Sequence, residues 1–518
     1  MVRAITIQNV ILLVLFFTVT FLLLEAFPDD PGVGWHLANG KYIFEKHIIP
    51  EYDPFLFSYL PRTWVSDQWL SDVILYSIYK EGSWLFLATF FTLLYLATFF
   101  SAYLVFYSYT KRYILSSLAA LLAFKAAEIH FILRPVVFSF PLFLGVVWFA
   151  FCYIKRLEKK SESGIEKLDF IYLGVLFLLW ANLHPSFVLG LLVLAFILIS
   201  DIVNCFLNKE FFSPRWLKFL ALILLVIGIT FVNPYGIQLH FSIFSLGNSS
   251  YFMQLHDEWQ PLSLSGVEGE IFFILFLGNL VWLLMTLTQR IKCQPFFTFS
   301  MLLSLTFAFL TLSKVRFLPY FGIAAGIPFI YGILALSELK FKNLLVFGKL
   351  TTFFSLLEKR EGYFGVKATL LLFTGIVGVI LYTTLYLGYM PLYQGDLAPD
   401  KNRYPYHLID KLKLLAKDNA PHPTIVAATP EMGGFITWFG NSQLKPIIDD
   451  RNTLIGENFY RDYIETLSDK DQPQKMLNYL LTLNADYALF NKDGALAKYL
   501  KDKVIAEEGD FALIKLPN

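Results

Sequence analysis

Long apolar runs separated by short polar stretches dominate the first three quarters of the chain. The runs lie at 6–26, 84–108, 113–129, 136–154, 169–183, 186–206, 217–233, 271–289, 296–313, 319–337 and 368–389. Each approaches the roughly 20 residues that carry a helix across a hydrocarbon layer, so they predict about eleven transmembrane helices. The third and fifth are short for a span. The first reads as an anchor, because no small-residue cleavage site follows it. Three polar segments are long: 27–83, 234–270 and 390–518. Within the first, WHLANGKYIFEKHI and SDQWLSDVILYSIYK place apolar residues among polar ones at helical spacing. They predict two short helices lying along the membrane surface, with Ser66 as the N-cap of the second. Prolines in IIPEYDPF and YLPRTW break helix between them.

The tail from about residue 400 follows a different pattern. TIVAAT, LKPIID, DYALF and DFALIKLP predict strands, and ENFYRDYIETLS, QPQKMLNYLLTLN and GALAKYLKDK predict helices. That alternation predicts a small α/β domain. The fold expected is therefore mainly α: a polytopic membrane domain over 1–390, followed by an extracytoplasmic α/β domain over 391–518. Gly433-Gly434 lacks the spacing of a nucleotide-binding fingerprint.

Composition supports a membrane protein. Of 518 residues 56% are hydrophobic and 16% charged, with 54 phenylalanines and a mean hydropathy of +0.56. The formal net charge of +1 gives no reason to expect nucleic acid as a partner. Where the charges lie is more informative. With the N-terminus inside, the inner loops hold roughly nineteen Lys and Arg and the outer loops about seven, the bias that sets membrane orientation. The tail is then outside, periplasmic or extracellular. Cys152, Cys205 and Cys293 fall near predicted inner ends of spans, so neither a disulfide framework nor a cysteine metal site is expected.

Polar mass on the outer face directs attention to outer carboxylates and cations. Asp29 and Asp30 follow the first span at once. A carboxylate at a membrane edge has its pKa raised and suits a general base, or it binds a divalent ion through hard oxygens. A solvated loop is the plainer reading. Arg134 and Arg316 sit at predicted outer span ends, where guanidinium groups fork onto phosphate oxygens. His36, Asn182, His184 and Glu258 are candidates for hydrogen bonding to a substrate. His256, Asp257 and Glu258 form the densest outer acid–His cluster beyond the first loop. Asp449 and Asp450 follow a predicted strand, a common site position, and a local salt bridge with Arg451 is the reading favoured.

Ordered along the chain, DPGVGWHLANGKYI, IPEYDPFLFS, WVSDQWLSDVILY, RPVVFSF, NLHPSF, NPYG, DEW, VRFLPYF, GGFITW and PIIDDR resemble a bacterial family of polytopic membrane proteins. That family is assigned to the GT-C glycosyltransferase superfamily, whose folds include mannosyltransferases and aminoarabinose transferases, and many members have no known substrate. The resemblance implies a glycosyltransferase of the bacterial inner membrane and cell envelope. Its donor would be a polyprenyl-phosphate-linked sugar, transferred at the outer face to an unknown lipid, glycan or protein acceptor. It implies Asp30 as the base, with Asp29 as neighbour or substitute, and inversion at the anomeric carbon. Many relatives carry Asp-x-Asp before the Trp-His; here the second acid is Gly32. Metal dependence stays open. No cofactor is called for outright, and a divalent cation, Mg or Mn, would draw on Asp30, His256, Asp257 and Glu258. Two other classes compete: a lipid or solute transporter, disfavoured by nearly charge-free spans, and a non-catalytic envelope-assembly factor.

The orientation is testable. Alkaline phosphatase needs disulfides that form outside the cytoplasm. Fused after Asn518 it should be active, and fused within 155–160 inactive. The opposite result would invert the topology.

Overall fold

The computed structural model describes residues 30, 32–58, 62–158, 164–207, 214–255, 257–288, 295–338, 364–388, 397–418 and 421–517. The expected anchor at 6–26, Asp29 and His256 lie outside the described residues.

The apolar runs fold as helices. Tyr113–Ala126, Ser139–Glu158, Lys167–Leu183, Phe187–Leu207, Pro214–Thr230, Val267–Thr288, Pro295–Ser313, Leu318–Glu338 and Phe364–Tyr382 fall on the expected runs. Six stretches are long and apolar enough to cross a membrane: Trp69–Thr110, Pro135–Glu158, Phe187–Phe206, Val267–Thr288, Pro295–Ser313 and Val315–Leu336. The fold is mainly helical and polytopic. Leu224, Phe241 and Phe309 remain exposed on the outside of the bundle, as lipid-facing side chains do. Arginines pin helix ends: Arg156 Nη2 lies 2.7 Å from Asp169, and Arg215 Nε lies 3.0 Å from Asp201.

The first polar segment forms helix α1, Val33–Lys46, and leads into helix α2, Trp69–Thr110. The expected surface helix and the following span are two helical segments of α2, 69–81 and 84–110, divided at Gly82 and Ser83, whose backbone angles leave the helical region. Ser66 is not its N-cap. The helix starts from Gln68 with no side-chain cap, and Ser66 Oγ instead accepts from Asn39 Nδ2 at 2.9 Å.

The tail holds one five-stranded sheet: β1 Thr424–Ala428, β2 Leu444–Pro446, β3 Tyr487–Asn491, β4 Val504–Glu508 and β5 Phe511–Lys515. Its order is β2-β1-β3-β5-β4. β1 runs parallel to β2 and β3, with Val426 opposite Tyr487, whereas β5 is antiparallel to β3 and β4. Strand β4 was not foreseen, because VIAEE is a short, half-exposed edge that ends in two acids and lacks an apolar–polar alternation. Nor were helices Tyr406–Asp418 and Pro430–Phe439. Two glycines make the second a poor helix by propensity. Packing overrides this: a Cβ on Gly34 of α1 would stand 2.3 Å from the Gly434 carbonyl oxygen. The two backbones cross in direct contact.

The tail is fastened to the first loop by Arg451. Its side chain is 2% exposed, donates from Nη1 to Asp53 Oδ1 at 2.9 Å and from Nε to Asp449 Oδ2 at 2.7 Å, and lies 4.5 Å from the Trp64 ring centre. The expected local pair with Asp449 is present, and Asp53 joins it from the loop. Beside it, Phe57 N–H donates to the Pro446 carbonyl at 2.9 Å. Truncating one member of a buried ion pair typically costs about 3–5 kcal/mol. Arg451→Ala should therefore lower the unfolding midpoint of the detergent-solubilised protein sharply, whereas Arg461→Ala, a half-exposed i,i+4 pair, should change it little.

Candidate active site

A cavity of about 700 Å³ opens where the membrane helices, the first loop and the tail meet. Its volume suits a ligand-binding site. Ile132, Val136, Leu189, Ile243 and Phe317 make an apolar wall on the membrane side, and Thr429, Pro430, Asp450 and Tyr460 close it from the tail. The tail residues follow the C-terminal ends of parallel strands β1 and β2, where α/β sheets place ligands.

Five expected residues reach this one cavity: His36, Arg134, His184, Glu258 and Arg316. They come from α1, from the irregular backbone of 127–138 between two helices, from a tight turn, and from two short 3₁₀ turns. Arg316 is held by Glu258 Oε1 at 3.4 Å and lies 3.8 Å from the Trp259 ring centre. Glu258 also stands 3.8 Å from His130 Nδ1. His184 Nδ1 meets Ser186 Oγ at 2.8 Å and Ser139 Oγ at 3.1 Å. Burial, then the nearby Arg316 charge, pushes His184 down to about 3, so the ring is neutral at ordinary pH.

The other calls fall elsewhere. Asn182 is not on the wall: its Oδ1 accepts from Trp69 Nε1, and its Nδ2 donates to the carbonyls of Leu178 and Val232. Asp257 is exposed in a short turn. Asp30 is 6% exposed and lies behind the wall. Arg134 forks onto it, Nε to Oδ2 at 2.8 Å and Nη2 to Oδ1 at 2.7 Å, and Gly32 N–H donates to Oδ1 at 3.0 Å. Burial alone would raise the Asp30 pKa, but the Arg134 charge, its fork and the Gly32 amide together hold it below the usual value. As for the divalent ion, among the described residues no three His, Cys, Asp or Glu side chains converge to hold one. The carboxylate of Asp30 faces a guanidinium instead.

Three acids were missed as site residues. Asp72 is fully buried, at 2.6 Å from His36 Nδ1 and 2.6 Å from Asn39 Nδ2. This holds the imidazole by one nitrogen, so a cavity ligand would meet Nε2. Burial, then the Arg134 charge, keeps His36 well below its ordinary pKa. Asp67 lines the cavity and is pushed up to about 7 by burial. Asp450 also lines it, with Oδ2 at 3.6 Å from Arg134 Nη2. Burial pushes it up to about 7 against the pull of Arg134, with Asp449 and Asp30 adding to the rise. Among the described residues nothing hydrogen-bonds to its buried Oδ1 or to the buried indole N–H of Trp35 on the same wall.

No protein-family model matches the chain, and no curated protein matches it. Solved structures do. The oligosaccharyltransferase of Archaeoglobus fulgidus in its apo form aligns over 93% of this chain and 69% of its own, with TM-score 0.52 and 10% identity. The same enzyme tethered to an acceptor peptide containing the NVT sequon gives TM-score 0.55, 12% identity and the same coverage. The chain shares the fold of this oligosaccharyltransferase. ArnT from Cupriavidus metallidurans, in the apo state, aligns over 98% of both chains with TM-score 0.45 and 13% identity. At these identities the likeness is one of fold, and the chemistry of this chain has to be argued from its own cavity.

The Asp30–Arg134 fork carries a stability prediction. The folded pKa of Asp30 is depressed, so its stabilisation is present above the unfolded value of about 3.9 and is lost as pH falls through the lower folded value. Arg134→Met should cost about 3–5 kcal/mol at neutral pH. The gap from the unsubstituted protein should narrow as pH falls from 7 towards 4, because Asp30, still buried but without its guanidinium, has its pKa raised and protonates in the variant. Chemical denaturation at pH 7 and pH 4 measures it.

Proposed function

We propose that the protein is an inverting membrane glycosyltransferase that takes a sugar from a polyprenyl-phosphate-linked donor and passes it to a hydroxyl acceptor at the outer face. The observation that carries this reading is the single cavity in which two guanidinium groups, Arg134 and Arg316, face an apolar membrane-side wall while carboxylates enter from the tail and the loop. A lipid-linked phosphate needs all three: an apolar surface for the chain, fixed cations for the phosphate, and a group to take the acceptor's proton.

Each side chain has a task in that reaction. Arg134 gives Nε and Nη2 to Asp30, which leaves Nη1 for the donor phosphate. Asp30 is a positioning residue here: it fixes the fork and neutralises part of its charge. The second guanidinium is steadied against the Trp259 face by Glu258. As the bond from the anomeric carbon to phosphate breaks, both cations stabilise the charge that collects on the phosphate oxygens. His36, His184 and the Trp35 indole supply neutral hydrogen-bonding edges for the sugar. The acceptor, whether lipid, glycan or protein, enters from the tail side. The likeness of fold to an oligosaccharyltransferase supports sugar transfer as the reaction class.

Reconstituted protein should bind a short-chain polyprenyl phosphate, followed by quenching of tryptophan fluorescence from Trp35, Trp64 and Trp259. A charged hydrogen bond contributes about 1.5–3 kcal/mol, so Arg316→Gln should weaken binding roughly 10- to 150-fold. Unchanged affinity would remove Arg316 from the donor site.

A further inference from the structure

The first loop carries Gly32 where the related pattern has its second acid, and the space beside Gly32 is filled. A Cβ built on Gly32 would stand 2.4 Å from Arg134 Nη2 and 2.8 Å from Asp450 Oδ2. A side chain here would have to push the ends of Arg134 and Asp450 aside. The carboxylate that the loop lacks therefore arrives from the tail, more than four hundred residues later in the chain. Arg134 lies between two acids: it is forked to Asp30 on one side and is 3.6 Å from Asp450 on the other.

The two acids are placed differently. Asp30 has both oxygens bonded and sits behind the wall. Asp450 lines the cavity with a buried, unpartnered Oδ1, and the unpartnered Trp35 N–H is on the same wall. Two unmet polar atoms of opposite kind, an acceptor and a donor, suit a ligand that both donates and accepts, as a hydroxyl does.

We propose that Asp450 takes the place of the missing loop acid and is the proton acceptor of the site, with the Arg134 guanidinium standing between it and Asp30 where a divalent ion would otherwise bind. The assignment rests on the glycosyl-transfer reading for the identity of the proton donor, an acceptor hydroxyl. In the step, Asp450 removes the hydroxyl proton as the acceptor oxygen bonds to the anomeric carbon. The carbon–oxygen bond to phosphate breaks, and its electron pair leaves on the phosphate facing Arg134 and Arg316. The proton on Asp450 then passes to water. The carboxyl's position near neutrality suits the task, since a base works best with a pKa close to the working pH. The charged and titratable groups around it are Arg134, Asp30, Asp449 and Tyr460, with Arg451, Glu431 and His36 lining the same cavity.

Two measurements on the full-length protein in nanodiscs test this without a known acceptor. The first uses manganese(II) alone, read by electron paramagnetic resonance. The unsubstituted protein should hold no tight manganese at this place. Arg134→Ala should gain a site that Asp450→Asn then abolishes in the double variant, and Arg134→Lys, which keeps the charge and a folded pair, should gain none. A manganese site in the unsubstituted protein that Asp450→Asn removes would overturn the proposal. The second follows the protonated-carboxyl stretch by infrared difference spectroscopy between about pH 5 and 9. In an Asp67→Asn background, which removes the other cavity carboxyl pushed up to about 7, a band that disappears near neutrality should remain, and adding Asp450→Asn should abolish it. That band persisting in the double variant would overturn Asp450 as the proton acceptor. Failure of any polyprenyl phosphate to bind would instead contradict the donor reading, and neither of these two results depends on it.

Discussion

The structure depends on a buried positive charge. Arg451 is withdrawn from water, and a lone guanidinium there would be costly. Asp449 comes from its own strand end and Asp53 from the first loop, so the charge is satisfied only when tail and loop are docked. Trp35, Trp64 and Phe55 close over it at 4.5–5.6 Å. This arrangement is directional, since a fork accepts carboxylates only in plane. It fixes the tail's angle as well as its distance. Asp450, the residue between Asp449 and Arg451, is carried into the cavity by the same turn.

Within the cavity, one chemistry is used in two environments. Asp30 and Asp450 are both aspartates beside Arg134, yet one is held below the ordinary carboxylate range and the other is raised to about 7. The difference is geometric. Asp30 receives two short guanidinium bonds and an amide, while Asp450 is farther from the cation, is short of hydrogen bonds and feels two neighbouring acids. Environments that push like groups apart are how a site separates an ionised support from a proton carrier at one pH. The histidines follow the same logic: burial and nearby arginines keep His36 and His184 neutral, so they present lone pairs and N–H groups and add no positive charge to the arginine wall.

The helical frame could be read from the chain because lipid demands long unbroken apolar runs, and nothing else in a sequence looks like them. Helices occupy each expected range that falls on described residues. Arg134 and Arg316 were legible for the related reason that charge at a span end is rarely idle. What local pattern could not show was register in space. Asn182 sits beside His184 in sequence, yet its amide faces backbone carbonyls while the imidazole faces the cavity. Asp450 read as part of a local ion pair because its distant partner, the gap at Gly32, is visible only once the chain is folded. The one clue was the pairing of a missing acid near residue 32 with a surplus acid in PIIDDR. Strand β4 and the diglycine helix eluded pattern for an ordinary reason, since each is stabilised by neighbours rather than by its own residues.

The cavity walls are drawn from both ends of the chain, from Trp35 to Ile464. Chains made on the ribosome fold broadly from the N-terminus onward. Every membrane helix is therefore made before the turn that carries Asp450 and Arg451 exists. A nascent or truncated chain holds the arginines of the bundle without the lid that encloses them, so the competent pocket is a late product of biogenesis. The tail thus closes a pocket whose other walls are made earlier in synthesis.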